Sequence, residues 1–146
     1  ELPKTGQQMD TSSESSEIPI EYQELSSELK ARDIGNFMFP TYIPNGFQIV
    51  ESDLYIPAEF DRVDFTMWYL NGNDEIEFNI LLQENSNRIY EKDEQEVEIY
   101  VPKNVNYYIF SNNGQNMAAW HTDRLEYSLS TTLSISELKA ILDSMG

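Results

Sequence analysis

The chain contains no cysteine, which excludes disulfides, a thiolate nucleophile and cysteine-ligated zinc. Basic residues are also scarce, since nine Lys and Arg stand against 26 Asp and Glu, for a net charge of -17. Nucleic acids and anionic membrane surfaces are bound through Lys and Arg, so this imbalance argues against both as ligands. No apolar run approaches the ~20 residues that span a bilayer. The high charge disfavours self-association, and we expect a monomer.

The first 16 residues have few large apolar side chains and are rich in serine, glutamine and acidic residues. Such a segment cannot bury enough surface to offset the entropy of ordering, so we predict a flexible acidic linker over residues 1–16. It includes Leu2-Pro3-Lys4-Thr5-Gly6, the sortase recognition pattern, but without the apolar span and basic tail of a sorting signal, and we treat the match as coincidence. A single domain is predicted over residues 17–146. Any signal peptide or anchor is expected upstream of Glu1.

After the linker, apolar residues recur at the spacing of one helical face, at intervals of four, three and four positions. These residues are Ile18, Tyr22, Leu25 and Leu29. We predict a helix capped by Ser15 or Ser16 and ended by Gly35, with its apolar stripe packed on a sheet.

Strand-like segments separated by turn residues make up most of the remaining chain. The turns Asn71-Gly72-Asn73-Asp74 and Asn112-Asn113-Gly114 are typical of hairpins. Alternating apolar residues mark the strands, and Phe65, Phe78 and Phe110 are assigned to the buried face. The polar run over residues 84–96 predicts a long loop.

The C-terminal segment predicts a second helix. Ser134 and Glu137 match a capping box, and Leu133 and Leu138 match a hydrophobic staple. Its apolar positions are Ile135, Leu138, Ile141, Leu142 and Met145. Together the elements predict an α+β fold: a single antiparallel sheet of six or seven strands in meander order, with an N-terminal and a C-terminal helix packed on one face.

Several of these segments resemble a domain of unknown function that is common in spore-forming and other Gram-positive bacteria. The resemblance rests on Tyr42-Ile43-Pro44-Asn45-Gly46-Phe47, the central hairpins, Trp120 before a turn, Tyr127-Ser128-Leu129 and the start of the last helix, and it covers residues 39–145. It implies an extracytoplasmic, cell-envelope-associated domain that follows a transmembrane helix. In some members of the family an anti-sigma-factor-like segment lies upstream. The resemblance brings no catalytic residues with it.

Two polar groupings are weak candidates for chemistry. His121, the only histidine, lies two residues before Asp123, and a hydrolase would need a nucleophile beside them. The acidic residues Glu91, Asp93, Glu94, Glu96 and Glu98 could offer oxygen ligands to calcium, but they lack the spacing and glycine of an EF-hand loop. We predict a solvated loop there, no metal site, no cofactor and no enzymatic activity.

Three aromatic residues, Trp68, Tyr100 and Tyr108, alternate out of register with the predicted core positions. The favoured interpretation is ordinary packing, against another domain or the long loop. The alternative is that all three lie on the sheet face that the helices leave open, as a binding site for an apolar or glycan ligand. The leading hypothesis is nevertheless a non-enzymatic sensing or docking module of a membrane-anchored protein, anti-sigma-factor-like or lipoprotein-like. Its partner would be an envelope protein or ligand, and its only membrane contact an anchor upstream of this sequence.

Overall fold

The computed structural model of the chain describes residues 18–58, 62–83 and 97–146. By compactness the chain divides into two units, Glu1–Asn36 and Phe37–Gly146. The division thus falls after residue 36, whereas sequence analysis places a boundary after residue 16. The predicted linker over residues 1–16 lies outside the described residues and stays a prediction.

The first unit contains a short helical segment, a 3-10 turn over Ile20–Tyr22 that continues as α1 over Gln23–Lys30. Tyr22, Leu25 and Leu29 are buried, as their spacing predicts. Asp33, at φ 65°, takes the left-handed conformation that ends many helices, so the helix ends before the predicted Gly35. The predicted caps Ser15 and Ser16 lie outside the described residues. The packing of α1 on the sheet remains a prediction.

The second unit is built on one antiparallel sheet of seven strands. The strands are β1 (Gln48–Tyr55), β2 (Arg62–Asn71), β3 (Asp74–Gln83), β4 (Glu98–Tyr100), β5 (Tyr107–Asn112), β6 (Gln115–His121) and β7 (Leu125–Thr131). Their order across the sheet is β1-β2-β3-β7-β6-β5-β4.

This order corrects the predicted meander. Strands β1 to β3 form one meander and β4 to β7 another, and the two join where β7 pairs with β3. The burial of β7 gives the physical reason, because Leu125, Tyr127, Leu129 and Thr131 are all buried and a central strand provides that environment. Strand β4 has only three residues and occupies an edge, where short strands are tolerated.

Two hairpins have the predicted turn chemistry. In the β2–β3 hairpin Asn71 pairs with Asp74, and Gly72 takes a φ of 63° in the two-residue loop. In the β5–β6 hairpin Asn113 and Gly114 both have positive φ, 55° and 80°, the combination that a type I′ turn requires. Both predicted hairpins are confirmed.

Helix α2 spans Ile135–Asp143 and has the predicted capping box. The Glu137 backbone N–H donates to Ser134 Oγ at 3.2 Å, and the Ser134 N–H donates to Glu137 Oε1 at 3.1 Å. Leu138, Ile141 and Leu142 are buried. This packing stabilises the helix, because nine helical residues would be marginal alone.

The face of the sheet on which α2 lies forms the core of this unit. Its buried residues include Phe65, Met67, Ile76, Phe78, Ile80, Ile109, Trp120, Tyr127 and Leu129. Phe110 is buried too, but it pairs with Met117 and therefore lies on the opposite face, not on the predicted one. The assignment failed because Ile109 and Phe110 are adjacent, and apolar neighbours do not reveal which one faces the core.

The beginning and end of this unit are joined. Pro40 and Met145 form a β-bridge, Thr41 N–H donates to Ser144 Oγ at 3.1 Å, and Gly146 N–H donates to the Phe39 carbonyl at 3.3 Å. The segments that open and close the unit therefore stabilise each other.

Candidate functional site

The structure places the three predicted ligand-binding aromatics on different faces of the sheet. Trp68 pairs with Glu77 and Tyr108 pairs with Ala119, which puts both rings on the face opposite α2. Tyr100 pairs with Tyr107 and faces α2. The prediction that all three share one face is wrong for Tyr100, because β4 is too short to show a period that would fix its orientation.

Trp68 and Tyr108 do not adjoin each other either. Their strands, β2 and β5, are separated by β3, β7 and β6. At about 4.8 Å per strand this places the two positions roughly 19 Å apart. Two cavities lined by described residues, of about 470 and 420 Å³, do not include these aromatics in their walls. One is lined by residues 43–49 with Tyr69, and the other by residues of α2.

A band of small polar side chains crosses the same face, from β2, the strand of Trp68, through β3 to β7. Its central residue, Asn79, donates through Nδ2 to Asp64 Oδ1 at 2.8 Å and to Thr66 Oγ1 at 2.9 Å. Asp64 in turn accepts from Arg62 at 3.1 Å. Ser128 lies opposite Asn79 on β7. The side chains here are held in fixed positions and present hydroxyl and amide groups.

Tyr100 is held at the β4 edge by contacts with α2. Its hydroxyl donates to Asp143 Oδ1 at 2.6 Å, and this hydrogen bond is the main reason that the Tyr100 pKa is raised. Lys139 lies 4.9 Å from the centre of the Tyr100 ring and forms an ion pair with Glu98 at 2.6 Å. Lys103 donates to the Asp143 carbonyl at 3.1 Å. These contacts attach β4 to the helix.

The same contacts bear on the calcium hypothesis. Glu98 is engaged by Lys139, and residues 91 to 96 lie outside the described residues. Within the described ranges, no three His, Cys, Asp or Glu side chains are grouped as metal ligands would be.

An aromatic stack continues from Tyr100 into the core. Tyr107 meets Trp120 edge to face at 4.9 Å, and Trp120 is parallel to Tyr127 at 5.3 Å. Desolvation raises the pKa of Tyr107 to about 12, and burial also raises the pKa of Tyr127, whose hydroxyl accepts from Met38 N–H at 3.0 Å. These rings contribute packing rather than a surface for ligands.

Strand β1 is a surface that sequence reasoning did not single out. Seven of its eight residues are exposed, including Ile49, Val50 and Tyr55 at 41, 54 and 55 %. Within the described residues it pairs with β2 alone, and a bulge between Ile49 and Glu51 shifts the pairing. The adjacent apolar residues Ile49 and Val50 were the available signal, since a strand that alternates regularly rarely places two together.

A cavity of about 470 Å³ adjoins the start of β1. Its apolar walls come from Ile43, Pro44, Phe47, Ile49 and Tyr69. Gly46 shapes this wall: it has a φ of 96°, and a Cβ added there would lie 2.6 Å from Asn71 Nδ2. The turn that leads into β1 therefore favours glycine for its conformation, whereas the Asn71 side chain is flexible and can move away from a Cβ.

His121 is the last residue of β6, and its side chain is exposed. It pairs with Glu126 of β7. Its Nδ1 lies 3.2 Å from the carbonyl oxygen of Thr122. The predicted absence of enzymatic activity stays a prediction.

None of the helices in the described ranges is long and apolar enough to span a bilayer.

Comparison with known proteins identifies a family for the second unit. No match is found among curated proteins. A family model described as a domain of unknown function, DUF4367, matches residues 38–145, which contain the whole sheet and α2. The match confirms the resemblance to a domain of unknown function, and it covers most of the chain. The chain therefore belongs to the DUF4367 family.

Proposed function

We propose that this chain is a non-enzymatic docking or sensing module that works outside the cytoplasmic membrane. The observation that carries the docking function is β1, an eight-residue strand that is exposed along its length and pairs on one side only within the described residues. Unpaired backbone groups on an edge strand recruit other chains, so a long exposed edge is a natural surface for a partner.

The proposed location rests on the family resemblance. The resemblance implies a domain that typically follows a transmembrane helix. We therefore assign this chain to an anchored protein of anti-sigma-factor-like or lipoprotein-like organisation, in the envelope of a Gram-positive cell. The charge of -17 opposes close approach of two copies and supports the proposed monomeric state.

Residues 1–146 contain no cysteine, so a single cysteine placed among them reports on the location of this domain. In the full-length protein, expressed in its natural host, Ile20→Cys would introduce one thiol at a side chain that is 78 % exposed. We expect a membrane-impermeant maleimide to label this variant in intact cells. Leu129→Cys, at a fully buried position, is the matched control and should react only after denaturation. Labelling of Ile20→Cys only after cell lysis would contradict the proposed location.

A second candidate function is binding of a glycan on the face opposite α2. Trp68 and Tyr108 are half-buried there, and the polar residues Asn79 and Ser128 lie on two of the strands between them. Aromatic rings that stack on sugar rings, with hydroxyl and amide groups between them, suit an elongated polar ligand better than a compact apolar one. Tyr100 is not part of this site, because it faces α2.

Tryptophan fluorescence tests the second candidate with a named probe, the tetramer of N-acetylglucosamine. We expect a saturable change in emission from the unmodified protein and its loss in Trp68→Phe. Trp120 is fully buried and stays as an internal reference in both proteins. The same saturable change in Trp68→Phe, or no change in either protein, would remove this candidate.

A further inference from the structure

The sides of β1 differ in chemistry, because successive residues of a strand point to opposite faces. Pairing with β2 puts Glu51 with Trp68 and Asp53 with Thr66, so both carboxylates lie on the face opposite α2. Ser52 and Leu54 pair with Met67 and Phe65 and lie on the core side. The β1 edge therefore has an acidic side and a more apolar side.

The apolar side leads into the cavity at the start of β1. Ile49 pairs with buried Tyr69, and both residues line the cavity of about 470 Å³. This cavity is open to solvent, and Asn45 and Gln48 line it together with the apolar residues. A strand added to β1 would continue the core with every second residue and could place an apolar side chain in this cavity.

Among the residues that the structure describes, the acidic side has little positive charge nearby. Glu51 and Asp53 are exposed, and Glu77 is exposed two strands away on the same face. Arg62, on the same face of β2, is already paired with Asp64 at 3.1 Å. Opposite charges across neighbouring strands stabilise pairing, and like charges oppose it.

From these features we infer that β1 binds an extended segment of a partner protein in which basic and apolar residues alternate. The segment adds to the sheet as an eighth strand, with Lys or Arg beside Glu51 and Asp53 and apolar residues beside Ile49 and Leu54. The inference deepens the proposed docking function and depends on it, but it is independent of the cellular location.

Charge argues against the two other occupants of this edge. If two copies paired antiparallel through β1, centred on Ser52, each Glu51 would face the other copy's Asp53, a repulsive arrangement between two molecules of charge -17. The chain's own first 17 residues contain four acidic residues and a single Lys, so they do not complement the edge either.

The test uses a capped eight-residue peptide of alternating Lys and Val, at physiological salt. We expect it to bind and to slow amide hydrogen exchange in β1 but not in β4. Two peptide controls separate backbone pairing from simple charge attraction. One has the same sequence with alternate backbone amides methylated, and the other alternates Glu and Val. Both should bind at least about tenfold more weakly.

A charge swap on the protein gives the decisive comparison. The double variant Glu51→Lys/Asp53→Lys should lose about tenfold in affinity for the Lys–Val peptide and gain affinity for the Glu–Val peptide. The matched control is Glu21→Lys/Glu24→Lys, which changes the net charge equally at exposed positions outside the sheet. This control should bind the Lys–Val peptide nearly as well as the unmodified protein.

Three results would overturn the inference: equal weakening in both double variants, binding of the methylated peptide without loss, or no added protection in β1. Dimerisation of the unmodified protein in sedimentation, accompanied by slower amide hydrogen exchange in β1 than in the monomer, would identify a second copy as the occupant instead. Extracytoplasmic labelling of Ile20→Cys would be unaffected by any of these results, so a failure of the strand-binding inference is distinguishable from a failure of the proposed location.

Discussion

The two edges of the sheet are built in contrasting ways. Strand β4 has three residues, and Tyr100 and Glu98 attach it to Asp143 and Lys139 of α2. Strand β1 has eight residues, almost all exposed, and within the described residues it pairs with β2 alone. Short length and attachment protect one edge, whereas charge and a bulge protect the other. Protection by charge is selective, because it repels acidic strands and admits basic ones.

A substitution that removes packing of α2 should have the largest effect on stability, and it should affect the β4 edge more than the β1 edge. Leu138 is fully buried, so Leu138→Ala should lower the free energy of unfolding by about 2–5 kcal/mol. Hydrogen exchange should accelerate in β4 more than in β1, because α2 holds the contacts of β4. Ser136→Ala, at an exposed position of the same helix, should stay within about 0.5 kcal/mol of the unmodified protein in chemical denaturation. A loss below about 1 kcal/mol for Leu138→Ala would contradict the assigned core.

Raising the pH should have the second largest effect on the free energy of unfolding, through Tyr107 of β5, the strand that pairs with β4. Desolvation raises the pKa of Tyr107 to about 12 from 10.0, so the folded protein resists its ionisation more than the unfolded chain does. The corresponding stability is fully present below about pH 10 and is lost as the pH rises through about 12, with a total of about 2–3 kcal/mol. Denaturant unfolding measured between pH 8 and 12 checks this. Tyr107→Phe should show a shallower decline, and an identical decline would refute the role given to Tyr107.

Removing one contact between β4 and α2 should lower the free energy of unfolding by a smaller amount. Tyr100→Phe removes the hydrogen bond to Asp143, and because that carboxylate is exposed we expect a loss of only about 1 kcal/mol. Tyr55→Phe makes the same chemical change on exposed β1 and should cost less than about 0.5 kcal/mol. Thermal or chemical unfolding of the pair compares the two edges directly. Equal losses would mean that Tyr100 does not anchor β4.

Deleting residues 1–16 should have the smallest effect. Their composition predicts a linker without packing, so the melting temperature should change by less than about 2 °C. A larger decrease, with faster hydrogen exchange in β1, would show that the N-terminal segment covers the long edge. That result would replace the basic partner strand with a segment of this chain.

The elements that a few neighbouring residues decide were predicted correctly. The Asn113-Gly114 turn, the capping box of Ser134 and Glu137 and the alternating apolar residues of β3 were all found where predicted. The error at the end of α1 is of the same local kind: Asp33, like glycine, tolerates the left-handed conformation, and the spacing alone did not favour one over the other.

The candidate site was predicted less well, because it depends on which strands are neighbours. Trp68 and Tyr108 do share a face, but the order of the strands separates them by roughly 19 Å. Tyr100 faces α2 because β4 is anchored by Asp143, a residue more than forty positions along the chain. No local pattern contains that information.

By itself, the sequence determined the turns, the caps, the alternation within strands and the excess of acidic charge, since each depends on residues that are close in the chain. Only the tertiary structure decided that β7 lies between β3 and β6, and that β1 remains as the long edge. The physical reason is that hydrogen bonding between strands is nearly the same for every sequence. Strand order therefore depends on which arrangement buries the most apolar surface across the whole sheet.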